Sequence, residues 1–343
     1  MDRALRVAER GLGLTSPNPA VGAVLVKDER VVGEGAHLRA GGPHAEIVAL
    51  DAAGPAARGA TCYVTLEPCA HVGRTGPCAD ALVRAGVARV VAAVGDPHHV
   101  VDGRGLARLR AAGVDVAMGV REAEARRLNR GFFCVMTEGR PHVTLKTAMT
   151  LDGKIAAVDG VSQWITGKAA RLEAHRLRFV ADAIVVGIGT VLTDDPQLSV
   201  RHPGLPPKEP LRVVVDSRLE MDERAKVLPA LVFSAVEAKK LPNAQIVRLA
   251  NPNGKVDLPG MLKELAQRGV NELHVEAGFK LNGSLVREGC VDEFLIYLNP
   301  SLLGDSAQGM ADISGVKALD ERVKLKIRSV ESVGGDIRVV ARL

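Results

Sequence analysis

Strand-like and helix-like segments alternate through all 343 residues, and the alternation restarts after a short polar stretch at residues 137–141. Such alternation predicts α/β domains, in which helices cover a sheet. The basic residues also change in kind there: residues 1–140 contain 17 Arg and one Lys, whereas residues 141–343 contain 14 Arg and 13 Lys. Since the length is about twice that of a typical domain, we predict two α/β domains, residues 1–138 and residues 141–343.

Hydrophobic periodicity gives the predicted elements of each half. In the first half, strands are predicted at 20–26, 30–35, 61–66, 89–94 and 114–118, and helices at 44–53, 78–85 and 106–112. In the second half, strands are predicted at 142–147, 183–186, 211–216, 272–276, 293–298, 324–333 and 335–342, and helices at 168–179, 259–267 and 281–288.

Composition limits the classes of partner. Apolar residues make up 47% and charged residues 25% of the chain, as in globular proteins with full cores. The net charge of +5 is dispersed and aromatic residues are only 3%, which disfavours nucleic acid as a partner. The longest charge-free apolar run, residues 183–192, is far shorter than the roughly 20 residues of a membrane span. The first eleven residues are too charged for a secretory signal. We therefore expect a small anionic substrate, no membrane association and a cytoplasmic location.

Four residues of the first half form a metal-binding pattern: His44, Glu46, Cys69 and Cys78. A catalytic zinc has three protein ligands, typically imidazole and thiolate, and an open position for water. Zinc makes water nucleophilic at neutral pH, and such water can displace an amino group from a ring carbon if a carboxyl group moves the protons. Glu46 is the candidate for that role. Each ligand is predicted to begin a helix, where backbone N–H groups favour thiolates.

Two alternatives remain open at this point. The ion could be structural, with His71 as a fourth ligand. The cysteines could instead be ordinary buried residues, as we expect for Cys62, Cys134 and Cys290. An odd number of cysteines in a cytoplasmic setting argues against disulfides.

The zinc pattern resembles the cytidine deaminase superfamily, whose motif is His-x-Glu followed by Pro-Cys-x-x-Cys. Here eight residues separate the cysteines, as in the deaminase domain of the bifunctional riboflavin-biosynthesis deaminase/reductase family. Residues 15–22 and 95–105 are also similar to that family. The resemblance implies a three-layer α/β/α domain in which His44, Cys69 and Cys78 hold zinc and Glu46 shuttles protons. It implies a diaminopyrimidinone substrate with a ribosylamino 5-phosphate.

The second half contains no Gly-x-Gly-x-x-Gly fingerprint and no phosphate loop. A glycine turn at 276–278 precedes a predicted helix, and this can bind phosphate or merely connect strand to helix. Residues 144–156, 162–166, 187–196 and 274–278 resemble the reductase domain of the same family. That resemblance implies a dihydrofolate-reductase-like fold and hydride transfer from NADPH, which reduces the ribosyl group to ribityl.

Matching positions to the family implies two sets of reductase contacts. The cofactor contacts are Ala148, Trp164, Thr190, Ser217, Gly278, Phe279, Lys280, Leu281, Asn282, Gly283 and Ser284. The substrate contacts are Ser162, Arg178, Asp194, Leu198, Arg201 and Glu276, with Lys146 and, in the first half, Asn18 as further candidates.

Several of these residues allow a second interpretation. Asn18 could read a pyrimidine edge or close an Asx turn, and Trp164 could face the cofactor or lie in the core. Lys146 could touch substrate or be a solvated charge. Arg178 and Arg201 suit a phosphate, which a guanidinium grips through two hydrogen bonds. No cation is assigned to the 2′-phosphate of NADPH.

The leading hypothesis is therefore a homo-oligomeric enzyme that performs zinc-dependent deamination and NADPH-dependent reduction on one chain. One rival is a nucleoside or nucleobase deaminase with an unrelated C-terminal domain. The other is an RNA-editing protein whose second half contacts RNA, which the scarce aromatics, modest charge and wide cysteine spacing disfavour.

Overall fold

The computed structural model describes residues 1–70, 76–98, 101, 103–237 and 241–343. The chain forms two compact units, Met1–Gly139 and Arg140–Leu343. This division falls between the two predicted ranges. In the described part of the chain, no helix combines the length and the apolar character that crossing a bilayer requires.

The first unit is a five-stranded sheet with helices on both faces. Its elements are α1 (Asp2–Ala8), β1 (Gly22–Lys27), β2 (Arg30–Ala36), α2 (Ala45–Ala53), β3 (Thr61–Val64), α3 (Cys78–Arg84), β4 (Arg89–Ala92), α4 (Arg104–Ala111), β5 (Asp115–Met118), α5 (Glu122–Leu128) and α6 (Arg130–Glu138). The strand order is β2-β1-β3-β4-β5. Strand β1 is antiparallel to both neighbours, and β3, β4 and β5 are parallel.

Alternation along β1 builds the two cores of this unit. Ala23 and Leu25 face the core formed with α2, α3 and α4, whereas Val24 packs with α1 on the other face. Phe132 and Phe133 of α6 extend the second layer. The predicted three-layer α/β/α architecture is confirmed.

The second unit is built on a nine-stranded sheet. Its elements are β6 (His142–Thr150), β7 (Lys154–Ala156), α7 (Lys168–Val180), β8 (Ala183–Gly187), α8 (Ile188–Asp194), β9 (Leu211–Val215), β10 (Ala230–Ser234), β11 (Ala244–Arg248), α9 (Leu258–Gln267), β12 (Glu272–Val275), α10 (Phe279–Arg287), β13 (Glu293–Asn299), β14 (Gln308–Gly309), β15 (Lys326–Val333) and β16 (Asp336–Arg342). The strand order is β11-β10-β9-β8-β12-β6-β13-β16-β15, and β7 pairs with β14 in a small separate sheet. From β11 to β13 neighbouring strands are parallel, and β16 and β15 close the sheet antiparallel.

Helices cover both faces of the large sheet. Helices α9 and α10 pack against the core that contains Leu145, Val185 and Phe294. On the other face, α7 packs beside Tyr297, and α8 contributes Val191 to the core around Val186. The predicted α/β class of the second domain is confirmed.

Several helices and strands of the structure were not predicted from the sequence, and some predicted boundaries differ from those observed. Helices α1, α5, α6 and α8 and strands β7, β10, β11 and β14 were not among the predicted elements. Helix α10 begins at Phe279 rather than at residue 281, so that Gly278 is its N-cap residue. The glycine turn therefore leads directly into the helix.

Candidate metal centre and cavity

Two glycines of β2 allow α2 to lie directly on the β1–β2 hairpin. A Cβ at Gly33 would overlap the Ala49 carbonyl oxygen, and a Cβ at Gly35 would overlap that of Ala45. His44 is the N-cap residue of α2, and Glu46 lies in its first turn. The close approach of helix and strand therefore fixes both functional residues at one end of the sheet.

The three predicted ligands converge on one point. The His44 Nδ1 atom lies 3.2 Å from the Cys78 Sγ and 3.6 Å from the Cys69 Sγ. The three ligand atoms lie within 4.8 Å of one another. A tetrahedral zinc with the usual bond lengths would separate nitrogen and sulfur ligands by roughly 3.5 Å. The residues therefore fit a zinc ion without rearrangement.

The charges of the two thiols are linked. Hydrogen bonding with the Cys78 thiol lowers the pKa of Cys69, and the same contact raises the pKa of Cys78. One negative charge is thus already favoured at the pair, and a bound cation would favour ionisation of the second sulfur.

Glu46 lies beside the ligands without being one of them. Its side chain is buried, and burial raises its pKa to about 7. A carboxyl group with this pKa can both accept and release a proton near neutral pH, as proton transfer in deamination requires.

One predicted detail of the ligands is wrong. Cys78 is the first residue of α3, but Cys69 lies in an extended loop rather than at a helix start. Its Sγ instead accepts a hydrogen bond from the Cys78 backbone N–H at 3.3 Å. His71, the alternative fourth ligand, lies outside the described residues. Cys62, Cys134 and Cys290 are buried, as expected for structural cysteines.

Glu67 holds the Cys69 loop in place and is not among the predicted site residues. Its buried carboxylate accepts hydrogen bonds from the backbone N–H groups of Gly103 at 3.1 Å and Gly105 at 3.0 Å. A Cβ at Gly105 would overlap the Pro68 carbonyl oxygen. The loop that carries Cys69 is therefore locked to the start of α4. No local sequence signal marks this role, because the partners of Glu67 lie more than 30 residues further along the chain.

Asn18 and His37 form a hydrogen-bonded pair near the metal ligands. The His37 Nδ1 atom lies 2.9 Å from the Pro43 carbonyl oxygen, which can only accept, so Nδ1 carries the proton. The Nε2 atom of neutral His37 therefore accepts from the Asn18 Nδ2 at 3.2 Å. Burial lowers the pKa of His37 and favours this neutral form. The His37 ring also packs edge-on against the His44 ring.

The second unit contains a cavity of ≈ 1450 Å³ along the carboxyl ends of its parallel strands. Ligands of open parallel sheets bind at this edge. All of the predicted reductase residues except Asn282 and Gly283 line this cavity. The lining residues are Lys146, Ala148, Ser162, Trp164, Arg178, Thr190, Asp194, Leu198, Arg201, Ser217, Glu276, Gly278, Phe279, Lys280, Leu281 and Ser284.

A buried ion pair lies in this cavity. The Arg178 Nε and Nη2 atoms donate to the two Glu276 carboxylate oxygens at 2.6 and 2.8 Å, and Nη1 donates to the Ser199 carbonyl oxygen at 3.1 Å. Burial alone raises the pKa of Glu276, but Arg178 outweighs it and holds the pKa well below the usual value. Three of the five N–H groups of Arg178 are thus engaged, which leaves little capacity for the predicted phosphate grip.

Two further basic groups lie around Glu276. Lys146 belongs to the interior of β6, and burial lowers the pKa of its ammonium group; the interpretation as a solvated charge is wrong. His274 is buried, with its Nε2 atom 3.4 Å from a Glu276 oxygen, and burial lowers its pKa. His274 is not among the predicted site residues, although it lies in the matched stretch 274–278.

Arg201 offers a freer guanidinium than Arg178. Its Nη1 donates to the Ser199 hydroxyl at 2.7 Å and to Gln197 at 3.2 Å, both of which are neutral groups. Asp194, at the end of α8, lies 3.5 Å from the Ser162 hydroxyl, and burial raises its pKa. Leu198 is buried and also lines the cavity.

The predicted cofactor residues lie in segments that line the same cavity. Trp164 is 68% exposed with Arg171 stacked 4.6 Å from its ring centre, so that the core interpretation is wrong. Gly278, at the start of α10, faces the Thr190 hydroxyl of α8. The Ser217 hydroxyl follows β9 and accepts from the Val256 N–H at 3.2 Å.

Two family models match the chain: the cytidine and deoxycytidylate deaminase zinc-binding region over residues 1–94, and the RibD C-terminal domain over residues 141–339. The riboflavin biosynthesis protein RibD of Aquifex aeolicus is 42% identical over 343 residues, which cover 98% of this chain and 96% of that protein. The chain belongs to the RibD family. A solved structure of Acinetobacter baumannii RibD agrees, with a TM-score of 0.93, 39% identity, and coverage of 99% of this chain and 97% of that chain.

A RibD-family structure from Thermotoga maritima has a TM-score of 0.90 at 36% identity, covering 100% of this chain and 97% of that chain. It is described as a diaminohydroxyphosphoribosylaminopyrimidine deaminase/5-amino-6-(5-phosphoribosylamino)uracil reductase. This chain is accordingly a bifunctional deaminase and reductase of riboflavin biosynthesis with Zn²⁺ and NADPH as cofactors. The predicted function and cofactors are confirmed, and the rival with an unrelated C-terminal domain is wrong.

Two predicted cofactor residues do not line the RibD cavity. Asn282 is fully buried, and its amide donates to the Met310 carbonyl oxygen at 3.0 Å. A Cβ at Gly283 would overlap the Asp312 backbone, so this position of α10 faces that segment. The family match assigned the whole stretch 278–284, but helical periodicity turns these two residues away from the ligand side.

Proposed function

We propose that residues 1–138 deaminate 2,5-diamino-6-(5-phosphoribosylamino)pyrimidin-4(3H)-one. We propose that residues 141–343 reduce the ribosyl group of the product, 5-amino-6-(5-phosphoribosylamino)uracil, to ribityl. The observation that carries the proposal is the buried Glu46 carboxyl beside a three-ligand site, His44, Cys69 and Cys78. A purely structural zinc would have no use for such an acid.

In the deaminase step, His44, Cys69 and Cys78 would hold Zn²⁺, which would act as a Lewis acid and make water nucleophilic at neutral pH. Glu46 takes a proton from the attacking water and delivers it to the departing nitrogen, so that a C–O bond forms, a C–N bond breaks and ammonia leaves. The pKa of about 7 supports both halves of this transfer.

We assign Asn18 to recognition of the pyrimidine ring by hydrogen bonding. Because its Nδ2 donates to His37, the Asn18 carbonyl oxygen remains to accept a hydrogen bond from a ring N–H or amino group. This supports the pyrimidine-reading interpretation over the Asx turn.

The residues that line the cavity would hold NADPH, which would supply the hydride for the former anomeric carbon. A proton must also reach the ring oxygen as the ribosyl ring opens. Lys146 is the proton donor that we assign, because burial lowers the pKa of its ammonium group and makes it a stronger acid. The carboxylate of Glu276, fixed by Arg178, accepts hydrogen bonds from substrate hydroxyls.

Removal of zinc separates the two activities. Treatment with a chelator should abolish ammonia release from the diaminopyrimidine, whereas NADPH oxidation with the deaminated substrate should continue at its original rate. Restoring Zn²⁺ should restore ammonia release. Persistent ammonia release from a metal-free chain would exclude the zinc mechanism.

Arg201 is the substrate-phosphate residue that we favour. Loss of a charge-assisted hydrogen bond in Arg201→Ala should raise the reductase KM for substrate by about tenfold and leave ammonia release unchanged. Arg224→Ala, at an exposed arginine outside the cavity, is the matched control. A reductase KM that stays at the wild-type value would remove Arg201 from this role.

We propose a cytoplasmic homo-oligomer that acts on a small phosphorylated pyrimidine and not on nucleic acid. No disulfide joins the five cysteines, all of which lie in the described part of the chain, and this supports a reducing compartment. The edge strand β15 exposes Ile327 by 65% and Val330 by 57%, which supports pairing with another copy. Light scattering of the purified chain would measure its mass, and retarded migration of tRNA at physiological salt would revive the RNA rival.

A further inference from the structure

The order of the strands determines the order in which the cavity-lining residues lie along the edge of the sheet. Lys146 lies on β6, and the adjacent β12 is followed by Glu276 and the start of α10. Next across the sheet comes β8 with Thr190 after it, then β9 with Ser217. Strands β10 and β11 complete this side, and β11 leads into residues 251–255. From β6 to β9 there are three strand spacings, or about 14 Å.

An extended dinucleotide fits this direction in only one way. The nicotinamide must meet the substrate at β6 and β12, where Lys146 and Glu276 lie. The N-terminus of α10 suits the pyrophosphate, since backbone N–H groups and the helix dipole favour anions. The adenosine end then falls beyond β9, beside Ser217 and the turn 251–255.

We propose that Lys255, together with Ser217, binds the 2′-phosphate of NADPH and selects NADPH over NADH. The inference rests on the proposed reductase function. It gives the adenosine end of the cofactor the cation that the sequence left unassigned.

The backbone around Lys255 is fixed in place. The Asn251 side-chain oxygen accepts from the N–H groups of Asn253 and Lys255, each at 3.0 Å. The Asn251 N–H donates to the Lys255 carbonyl oxygen at 2.7 Å. The Val256 N–H donates to the Ser217 hydroxyl oxygen at 3.2 Å, which ties the turn to the end of β9.

The side chains at this turn are also arranged for an anion. Val256 is buried in the core, and the preceding Lys255 is exposed and lines the cavity. Because the Ser217 oxygen accepts from Val256, its own proton is available to a phosphate oxygen. The structure shows no hydrogen bond or ion pair at the Lys255 ammonium from any described residue. Among the described residues, Arg218 is another cation at this end of the cavity, and it is already paired with Glu220 at 2.8 Å.

Two small probes isolate the 2′-phosphate from the rest of the cofactor. Adenosine 2′,5′-bisphosphate carries it and adenosine 5′-monophosphate does not. Calorimetry with the full-length protein should show that Lys255→Ala weakens binding of the bisphosphate by about tenfold or more. Binding of the monophosphate should stay within about twofold of wild type, because it makes no contact with this charge. Lys255→Arg should retain most of the affinity.

Matched variants and steady-state kinetics complete the test. Lys263→Ala, at an exposed lysine of α9 outside the cavity, should behave as wild type. Lys255→Ala should raise the KM for NADPH and leave that for NADH unchanged. If Lys255→Ala binds the bisphosphate as tightly as wild type, or if Arg218→Ala alone loses it, the inference is wrong although the reductase proposal stands. If wild type neither binds the bisphosphate nor oxidises NADPH, the reductase proposal itself fails.

Discussion

Glu46→Gln is expected to lower the rate of ammonia release by about 10²- to 10⁴-fold, the usual contribution of a general acid–base group. The amide is nearly isosteric with the carboxyl group, so the first turn of α2 should keep its shape. It cannot accept the proton of the attacking water and pass it to the departing nitrogen. His44, Cys69 and Cys78 are unchanged, and zinc content should stay at one ion per chain. NADPH oxidation with the deaminated substrate should remain at the wild-type rate.

Three readouts check the Glu46 prediction together: ammonia release, NADPH oxidation and zinc content. Glu9→Gln, which alters an exposed glutamate of the same unit, is the control for the loss of one carboxylate. If Glu46→Gln loses both activities while its circular dichroism matches wild type, the assignment of two independent sites is wrong. If ammonia release persists at the wild-type rate, another group moves the proton.

Arg178→Ala is expected to destabilise the second unit by about 3–5 kcal/mol, because it leaves the Glu276 carboxylate buried without its principal partner. Both residues are only 14% exposed at the side chain. The Lys146 ammonium lowers the pKa of Glu276 less than Arg178 does, so it cannot replace the lost partner. Reductase activity should fall as well, since Glu276 would no longer be held against the substrate. Urea unfolding of the second unit and NADPH oxidation measure the two effects.

The destabilisation by Arg178→Ala should depend on pH. In the wild type the pKa of Glu276 is depressed, so the pair stabilises the fold above the ordinary glutamate pKa of about 4.3, and this is lost as pH falls through the depressed value. Without Arg178, burial raises the pKa of Glu276, and the variant loses stability as pH rises through that value. The difference between the two proteins should therefore be larger at pH 8 than at pH 5. Arg176→Ala, at an exposed site on the same helix, should show no such difference; equal losses at both pH values would contradict the ion-pair account.

The sequence predicted the zinc ligands because residue type and spacing alone restrict that chemistry. A His-x-Glu pair and two later cysteines have few other uses, and the structure brings His44, Cys69 and Cys78 together. The role of Glu67 could not be predicted, because its partners are backbone N–H groups more than 30 residues away. The Arg178–Glu276 pair spans 98 residues and likewise depends on tertiary structure.

The missed helices had weak local signals. Helix α5 is strongly charged and buries only Ala125, so it has no apolar stripe. Strand β10 is a short, wholly buried apolar run, and such runs do not distinguish strand from helix. Lys146 lies next to the end of the predicted strand 142–147, where a solvated charge is plausible, whereas β6 continues to Thr150 and places this residue in the strand interior.

X-ray absorption spectroscopy of the zinc-loaded, full-length protein is the most direct test of the three-ligand centre. We expect one zinc per chain, with one nitrogen and two sulfur ligands from the protein and one light oxygen ligand in the remaining position. Two nitrogens and two sulfurs with no exchangeable ligand would indicate a closed structural site. That result, or purified protein that binds no zinc, would contradict the account of the deaminase.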